Sequence, residues 1–190
     1  MSTKAALVNS ALDFAHERGF VDTSYADLSE VIGIRKASIH HHFPSKDDLS
    51  IAMIEENQRR ILSLFEIVKK RKLNGFQKLR AFIRKTFNPL AANQRVCIHG
   101  VLSVENQSLN EIAKAKLRES HEAIAECIFA LLSEGKKDGS LHCTSPKQSA
   151  LMLTATIQGG LQVARVRNQK LFNQIIETAL NTIKPQRNLK

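Results

Sequence analysis

Apolar residues recur at steps of three and four positions along nearly the whole chain, and no stretch alternates strictly between apolar and polar residues. This spacing is typical of amphipathic helices and not of strands. The pattern predicts an all-α protein with about nine helices. Their approximate ranges are 3–18, 24–32, 36–42, 46–71, 76–88, 96–104, 109–134, 146–166 and 171–183.

Local stop and start signals separate the predicted helices. Stops are expected at Gly19, Gly33, Pro44, Asn74-Gly75, Pro89, Gly135, Gly139 and Pro185. Caps are expected at Ser24 with Asp27, Ser45 with Asp48, Ser108 with Glu111, and Ser145 before Pro146. We interpret residues 1–45 as a three-helix domain and residues 46–190 as a larger helical bundle joined to it by the long fourth helix.

The segment from Ser24 to Lys46 predicts a helix-turn-helix, because two short helices meet at Gly33. Leu28, Val31, Ile39 and Phe43 are the expected core positions of this segment. The second helix begins with basic and small residues, which suit a DNA major groove: Lys and Arg bind phosphate or guanine, and Ser bonds to base edges. Lys46, in the first turn of the next helix, is expected to bind phosphate.

The string GIRKASIHHHFPSKDDL resembles the recognition helix and the following helix start of TetR-type transcriptional regulators. The resemblance covers about residues 5–55, and the rest of the chain is similar only in its helical layout. It implies a DNA-binding head and a body that binds a ligand and forms a homodimer. It also implies DNA contacts by the following residues: Ser24, Tyr25, Arg35, Lys36, Ala37, Ser38, His40, His41 and Lys46.

Two positions depart from the family pattern. The family usually has Tyr where this chain has His40, so any phosphate contact there becomes pH-sensitive. A small hydroxyl residue is common where this chain has Arg35, which adds a possible phosphate or guanine contact.

The composition agrees with an anionic partner but does not locate it. The net charge is +10, yet residues 1–50 carry five basic and seven acidic side chains. The densest basic run, Lys69 to Lys72, is expected to be a solvated helix end. Three cysteines without metal-type spacing favour a reducing cytoplasm, and we expect neither a signal peptide nor a membrane span.

We predict no metal site, no cofactor and no enzyme activity. Neighbouring residues on a helix point about 100° apart, so the triple histidine His40 to His42 cannot converge on one ion. The chain lacks a Gly-rich phosphate loop, a G-x-S-x-G motif and an HExxH motif. Two alternatives stay open: a DNA-binding protein without a ligand, and a helical ligand-binding protein or enzyme with a degenerate head.

The body is expected to bind a small-molecule inducer and to form the dimer through the last two helices. Gly159-Gly160 weakens a helix, and a close approach of another helix would compensate. Candidate ligand-lining residues are Phe65, Phe82, Phe87, Cys97, Val101, Ile124 and Cys127, although for each of them a plain core position is favoured over a ligand contact. Cys97 is a further candidate as a redox or electrophile sensor, because Arg95, His99 and a helix start lie close to it in sequence.

Overall fold

The computed structural model describes residues 2–185, and within them it contains nine α-helices, one 3₁₀ turn and no strand. The helices are α1 Thr3–Arg18, α2 Tyr25–Ile32, α3 Lys36–His42, α4 Lys46–Lys69, α5 Gly75–Ala92, α6 Ile98–Val104, α7 Glu111–Lys137, α8 Pro146–Val166 and α9 Gln169–Asn181; the 3₁₀ turn is Asn106–Ser108. The all-α prediction is confirmed. None of the helices in the described part is long and apolar enough to cross a membrane.

Contacts divide the described chain into two units. The head unit comprises residues 2–59 and 97–121, and the body unit comprises residues 60–96 and 122–185. Each unit therefore includes part of α4 and part of α7. The predicted boundary between Ser45 and Lys46 stays a prediction.

The head unit has a core formed by α1, α2, α3, α6 and the first halves of α4 and α7. Its fully buried side chains include Leu7, Leu12, Leu28, Ile39, Leu49, Met53, Ile98 and Leu102. Removing such side chains from water is the main stabilising term for a small helical unit. The same packing holds the short helices α2 and α3, which at eight and seven residues are too short to be stable alone.

The body unit is a bundle in which α5, α8 and α9 pack together. The second half of α7 contacts α5, where Lys78 pairs with Glu134. Its core includes Leu79, Phe82, Ile83, Leu131, Leu153, Ile157, Leu161, Phe172 and Ile176. Gly160 of α8 faces Phe172 of α9, and a Cβ at position 160 would lie 3.2 Å from that ring. The absence of a side chain at Gly160 therefore allows a close contact between α8 and α9 within the chain. Gly159, in contrast, faces open space.

Three predicted helix signals are wrong. Gly135 lies inside α7, which continues to Lys137. Pro89 lies inside α5, which continues to Ala92. A proline near the end of a helix removes one hydrogen bond, and here Phe87 and Ala91, both buried, hold the last turn in place. The cap of α7 is Asn110 and not Ser108, because Asn110 Oδ1 accepts the backbone N–H of Ala113 and Ser108 belongs to the 3₁₀ turn.

Two expected core positions are exposed. Val31 was expected to be buried with Leu28, but its side chain is 61% exposed. Ile112 fits the three- and four-residue spacing of the apolar positions in α7, which predicts burial, but its side chain is 70% exposed. Three-residue spacing describes a face about 100° wide, so residues at its margin are buried only where another helix reaches them.

Candidate nucleic-acid interface

Helix α3 is held to the head unit by two buried side chains, Ile39 and Phe43. The turn before it is set by Gly33, which has a left-handed φ of 73° that other residues rarely adopt. Gly33 also donates its N–H to the carbonyl of Ser29, and the Ser29 hydroxyl donates to the carbonyl of Ile34 at 2.5 Å. The predicted helix-turn-helix is thus present, with α3 spanning the predicted residues.

The opposite side of α3 is exposed. The side chains that point away from the core are Arg35, Lys36, Ala37, Ser38, His40 and His41. A shallow open depression lies on this side and is lined by Ile34, Ala37, Ser38, His41, His42 and also Thr3 of α1. Thr3 was missed by the sequence analysis, because nothing in the local pattern places residue 3 beside residue 38.

Ser24 begins α2 through the predicted capping box. Its hydroxyl oxygen accepts the N–H of Asp27 at 3.2 Å, and the Asp27 carboxylate accepts the N–H of Ser24 at 3.0 Å. Arg18 also binds Asp27 at 2.6 Å. The Ser24 bonds and then the Arg18 charge lower the pKa of the Asp27 carboxyl. Ser24 therefore has a local structural role and remains exposed.

Tyr25 connects α2 to the junction between α3 and α4. Its hydroxyl lies 2.8 Å from the carbonyl oxygen of Phe43 and 2.6 Å from that of Ser45, so it donates to one of these at a time. Burial, followed by the Asp48 charge, raises the pKa of Tyr25 to about 12. The ring also packs edge-on against His40, with centroids 4.9 Å apart. The side chain is only partly exposed.

Lys46 lies in the first turn of α4, where the predicted Ser45–Asp48 capping box is confirmed by reciprocal bonds of 2.9 and 3.1 Å. Its ammonium donates to the carbonyl of Val21 at 2.6 Å and lies 4.9 Å from the centroid of the Phe20 ring. The charged group of Lys46, a predicted phosphate contact, is therefore held by the turn between α1 and α2.

Two family models match this chain. Residues 7–53 match the model for bacterial regulatory proteins of the tetR family. Residues 75–180, more than half of the chain, match the tetracyclin repressor-like C-terminal domain. The chain belongs to the TetR family. It is a DNA-binding regulator, as the sequence analysis predicted.

Known proteins agree with this assignment over nearly the full length. The repressor NemR of Escherichia coli is 23% identical over 168 residues, which cover 86% of this chain and 84% of NemR. The regulator RutR of the same species is 26% identical and covers 95% of this chain and 88% of RutR. A TetR-family regulator from Agrobacterium tumefaciens is 27% identical, with a TM-score of 0.89, and covers 96% of this chain and 97% of that one.

The seven residues predicted to line a ligand site are all buried, but the two units share them. Cys97 and Val101 belong to the head unit, and Phe65, Phe82, Phe87, Ile124 and Cys127 belong to the body unit. Phe65 and Phe82 contact each other edge-on, with centroids 5.9 Å apart. Burial raises the pKa of the Cys127 thiol to about 11, and its S–H donates to the carbonyl of Ala123.

A buried polar cluster in the head unit of this TetR-family protein was missed by the sequence analysis. His99 Nε2 lies 2.7 Å from Ser120 Oγ, and its Nδ1 lies 3.0 Å from Asn57 Nδ2 and 3.6 Å from Cys97 Sγ. The ring of His121 packs edge-on against that of His99, with ring centroids 4.9 Å apart. Cys97 is the N-cap residue of α6, and its side chain is 2% exposed. The nitrogen near its sulfur is Nδ1 of His99.

Proposed function

We propose that this TetR-family protein is a repressor that binds a palindromic operator as a homodimer in the cytoplasm and is released by a small-molecule inducer or by modification of Cys97. Each protomer would insert α3 into one major groove. The two half-sites would lie about 34–36 Å apart, or a multiple of this distance. Repression is the activity that the names of NemR and of DhaR, a Mycobacterium relative 24% identical, state for those proteins.

The exposed start of α3 is the observation that carries the proposal. Arg35, Lys36 and Ser38 are exposed donors on a helix whose other side is fixed by Ile39 and Phe43. Ala37, between them, lets the backbone approach the base edges. A rigid helix with short and basic side chains at its start has the chemistry of a major-groove reader. Ser24, Tyr25, His40, His41 and Lys46 would contact the phosphates on either side.

The exposed face of α8 supports dimer formation through the last two helices. Four large apolar side chains along this helix are exposed in the single chain: Leu151, Met152, Val163 and Val166. Ala155 and Gly159 continue the same stripe at steps of three and four residues. A second copy of α8 packed against this stripe would remove the exposed apolar surface from water.

The inducer site is proposed for the predicted lining residues that lie in the body unit. Phe65, Phe82, Phe87, Ile124 and Cys127 are buried and apolar apart from one thiol, so they favour a largely apolar inducer.

The DNA-reading proposal is tested by selecting duplexes from a random pool with the wild-type protein. Affinity for the selected duplex is then measured by fluorescence anisotropy at several salt concentrations. Lys36→Ala and Ser38→Ala should change the preferred sequence, because these residues would face bases. Lys46→Ala should weaken all duplexes about equally and lower the slope of log affinity against log salt by about 0.9, the loss of one phosphate contact.

A wild-type protein that selects no duplex in moderate salt would contradict the proposal and favour a helical ligand-binding protein or enzyme. Equal effects of all three substitutions on every sequence would contradict the role of α3 in reading bases.

Dimer formation is tested by light scattering on Leu151→Glu, which places a charge on the α8 stripe. We expect the wild-type mass to be that of two chains and the variant mass to fall to that of one. Ile112→Glu is the matched control, because it makes the same change at an exposed apolar residue of α7. A monomeric wild-type protein, or a Leu151→Glu protein that is still dimeric at low concentration, would refute this interface.

A further inference from the structure

Glu105, the residue that ends α6, binds the turn between α1 and α2. Its Oε2 accepts the N–H of Phe20 at 2.9 Å and the N–H of Val21 at 3.1 Å, across more than eighty positions of sequence. Hydrogen bonds to a carboxylate are about twice as strong as those between neutral groups. The fit is close, because a Cβ at Gly19 would collide with Oε1 of Glu105. The turn is therefore attached to α6 by one side chain.

The carbonyl group of Val21 forms a second hydrogen bond. Its N–H donates to Glu105, and its carbonyl accepts the Lys46 ammonium at 2.6 Å. Burial lowers the pKa of Lys46, while the carboxylates of Glu105 and Asp22 oppose this shift. Glu105 thus acts on the Lys46 ammonium both through Val21 and through its own charge.

The two ends of this connection have different roles. Lys46 begins α4 directly after the recognition helix and is the proposed phosphate contact. Glu105 ends α6, whose start carries Cys97 and the buried His99. Asn110, just beyond, donates its N–H to the Asp47 carboxylate at 3.0 Å and gives the same part of the chain a second contact with the start of α4.

We propose that Glu105 is a positioning residue for DNA binding: through Val21 it holds the Lys46 ammonium where it meets phosphate, so that a displacement of α6 alters this contact. The inference rests on the proposed function, because it requires that Lys46 binds operator phosphate. It names a route by which events at α6 reach the DNA-binding surface without any change in α3 itself.

The proposal is tested with a double-mutant cycle on the duplex selected by the wild-type protein. Glu105→Ala should weaken binding about tenfold, since two backbone donors lose their acceptor, and should lower the salt slope by about 0.9. Lys46→Ala should lower the slope by the same amount. The affinity of the double variant should be within about twofold of that of Lys46→Ala, because the two substitutions remove the same phosphate contact.

Glu111→Ala is the matched control, since the Glu111 carboxylate bonds Lys114 of its own helix and is exposed. It should bind within about twofold of the wild type and keep its salt slope. Glu105→Gln keeps an acceptor oxygen and should recover most of the affinity lost in Glu105→Ala. If circular dichroism shows that the Glu105→Ala protein is unfolded, Glu105→Asp takes its place in the cycle. Its side chain is shorter by one methylene.

A Glu105→Ala protein with an unchanged salt slope, or losses that add in the double variant, would overturn the positioning role and leave Glu105 as a stabilising residue only. A Glu105→Gln protein as weak as Glu105→Ala would overturn the hydrogen-bonded connection. Failure of the wild-type protein to select any duplex is a different result, because it removes the proposed function before the variants are compared.

Discussion

Protonation of His99 is expected to control the acid stability of this protein. The side chain is 1% exposed. The Asn57 amide nitrogen can only donate, so Nδ1 of His99 accepts from it, and Nε2 carries the proton and donates to Ser120. A second proton would place a donor against the Asn57 donor and a charge in the core. Burial, and secondly the His121 charge, lower the pKa of His99 to about 3.

The magnitude follows from the difference between folded and unfolded states. An unfolded histidine takes up its proton as the pH falls through about 6.5, whereas folded His99 stays neutral until about pH 3. The contribution of His99 to stability is therefore complete above about pH 6.5 and is lost as the pH falls. At about 1.4 kcal/mol per pH unit, lowering the pH from about 7 to about 4.5 removes about 2.5 kcal/mol per chain.

The assay is urea unfolding followed by far-ultraviolet circular dichroism at both pH values and one fixed protein concentration, because the proposed dimer would make stability depend on concentration. His99→Gln keeps a donor and an acceptor but does not titrate, so its loss of stability on acidification should be smaller than that of the wild type by about 2.5 kcal/mol.

Ser120→Ala is the matched control for this experiment. It removes the hydrogen bond but keeps the histidine, so it should be less stable by about 1–3 kcal/mol at both pH values and keep the wild-type pH dependence. If His99→Gln loses as much stability on acidification as the wild type does, the buried neutral histidine is not the cause and the reasoning is refuted.

Three further results are expected. Gly75→Ala should destabilise the body unit by about 1–3 kcal/mol in urea unfolding, because the new Cβ would collide with the backbone of Gly135. An unchanged unfolding midpoint would show that α5 can move away from α7 without loss of stability. Ser24→Ala should lower stability by about 1 kcal/mol in the same assay through loss of the α2 cap, and no loss would mean that the capping box is not needed. Cys97→Ser should bind operator and stay bound after a quinone or hypochlorite treatment that releases the wild type, whereas normal release would exclude Cys97 as the sensor.

The helix-turn-helix was the part most accessible to sequence reasoning. Gly33 and Pro44 mark the two ends of α3, and the apolar residues Ile39 and Phe43 indicate which side of the helix is buried. The exposed side, from Arg35 to Ser38, follows from helical geometry alone. Local signals of this kind act over three or four residues, so they can be read without knowing any distant neighbour.

Other local signals were overridden by packing. Pro89 predicts a helix end, yet buried Phe87 and Ala91 keep α5 intact beyond it. Val31 and Ile112 fit helical stripes but are exposed, because no other helix among residues 2–185 covers them. Here the periodicity was read correctly, and the presence or absence of a packing partner decided the outcome.

The amino-acid sequence by itself determined the helices, most of their caps and the exposed side of α3, because these depend on residues a turn or less apart. Only the tertiary structure decided that Glu105 bonds Phe20 and Val21 and that His99 lies between Asn57 and Ser120. Such contacts join residues far apart in the chain, and they exist only once the apolar faces of the helices have packed and set the distances between the polar groups on them.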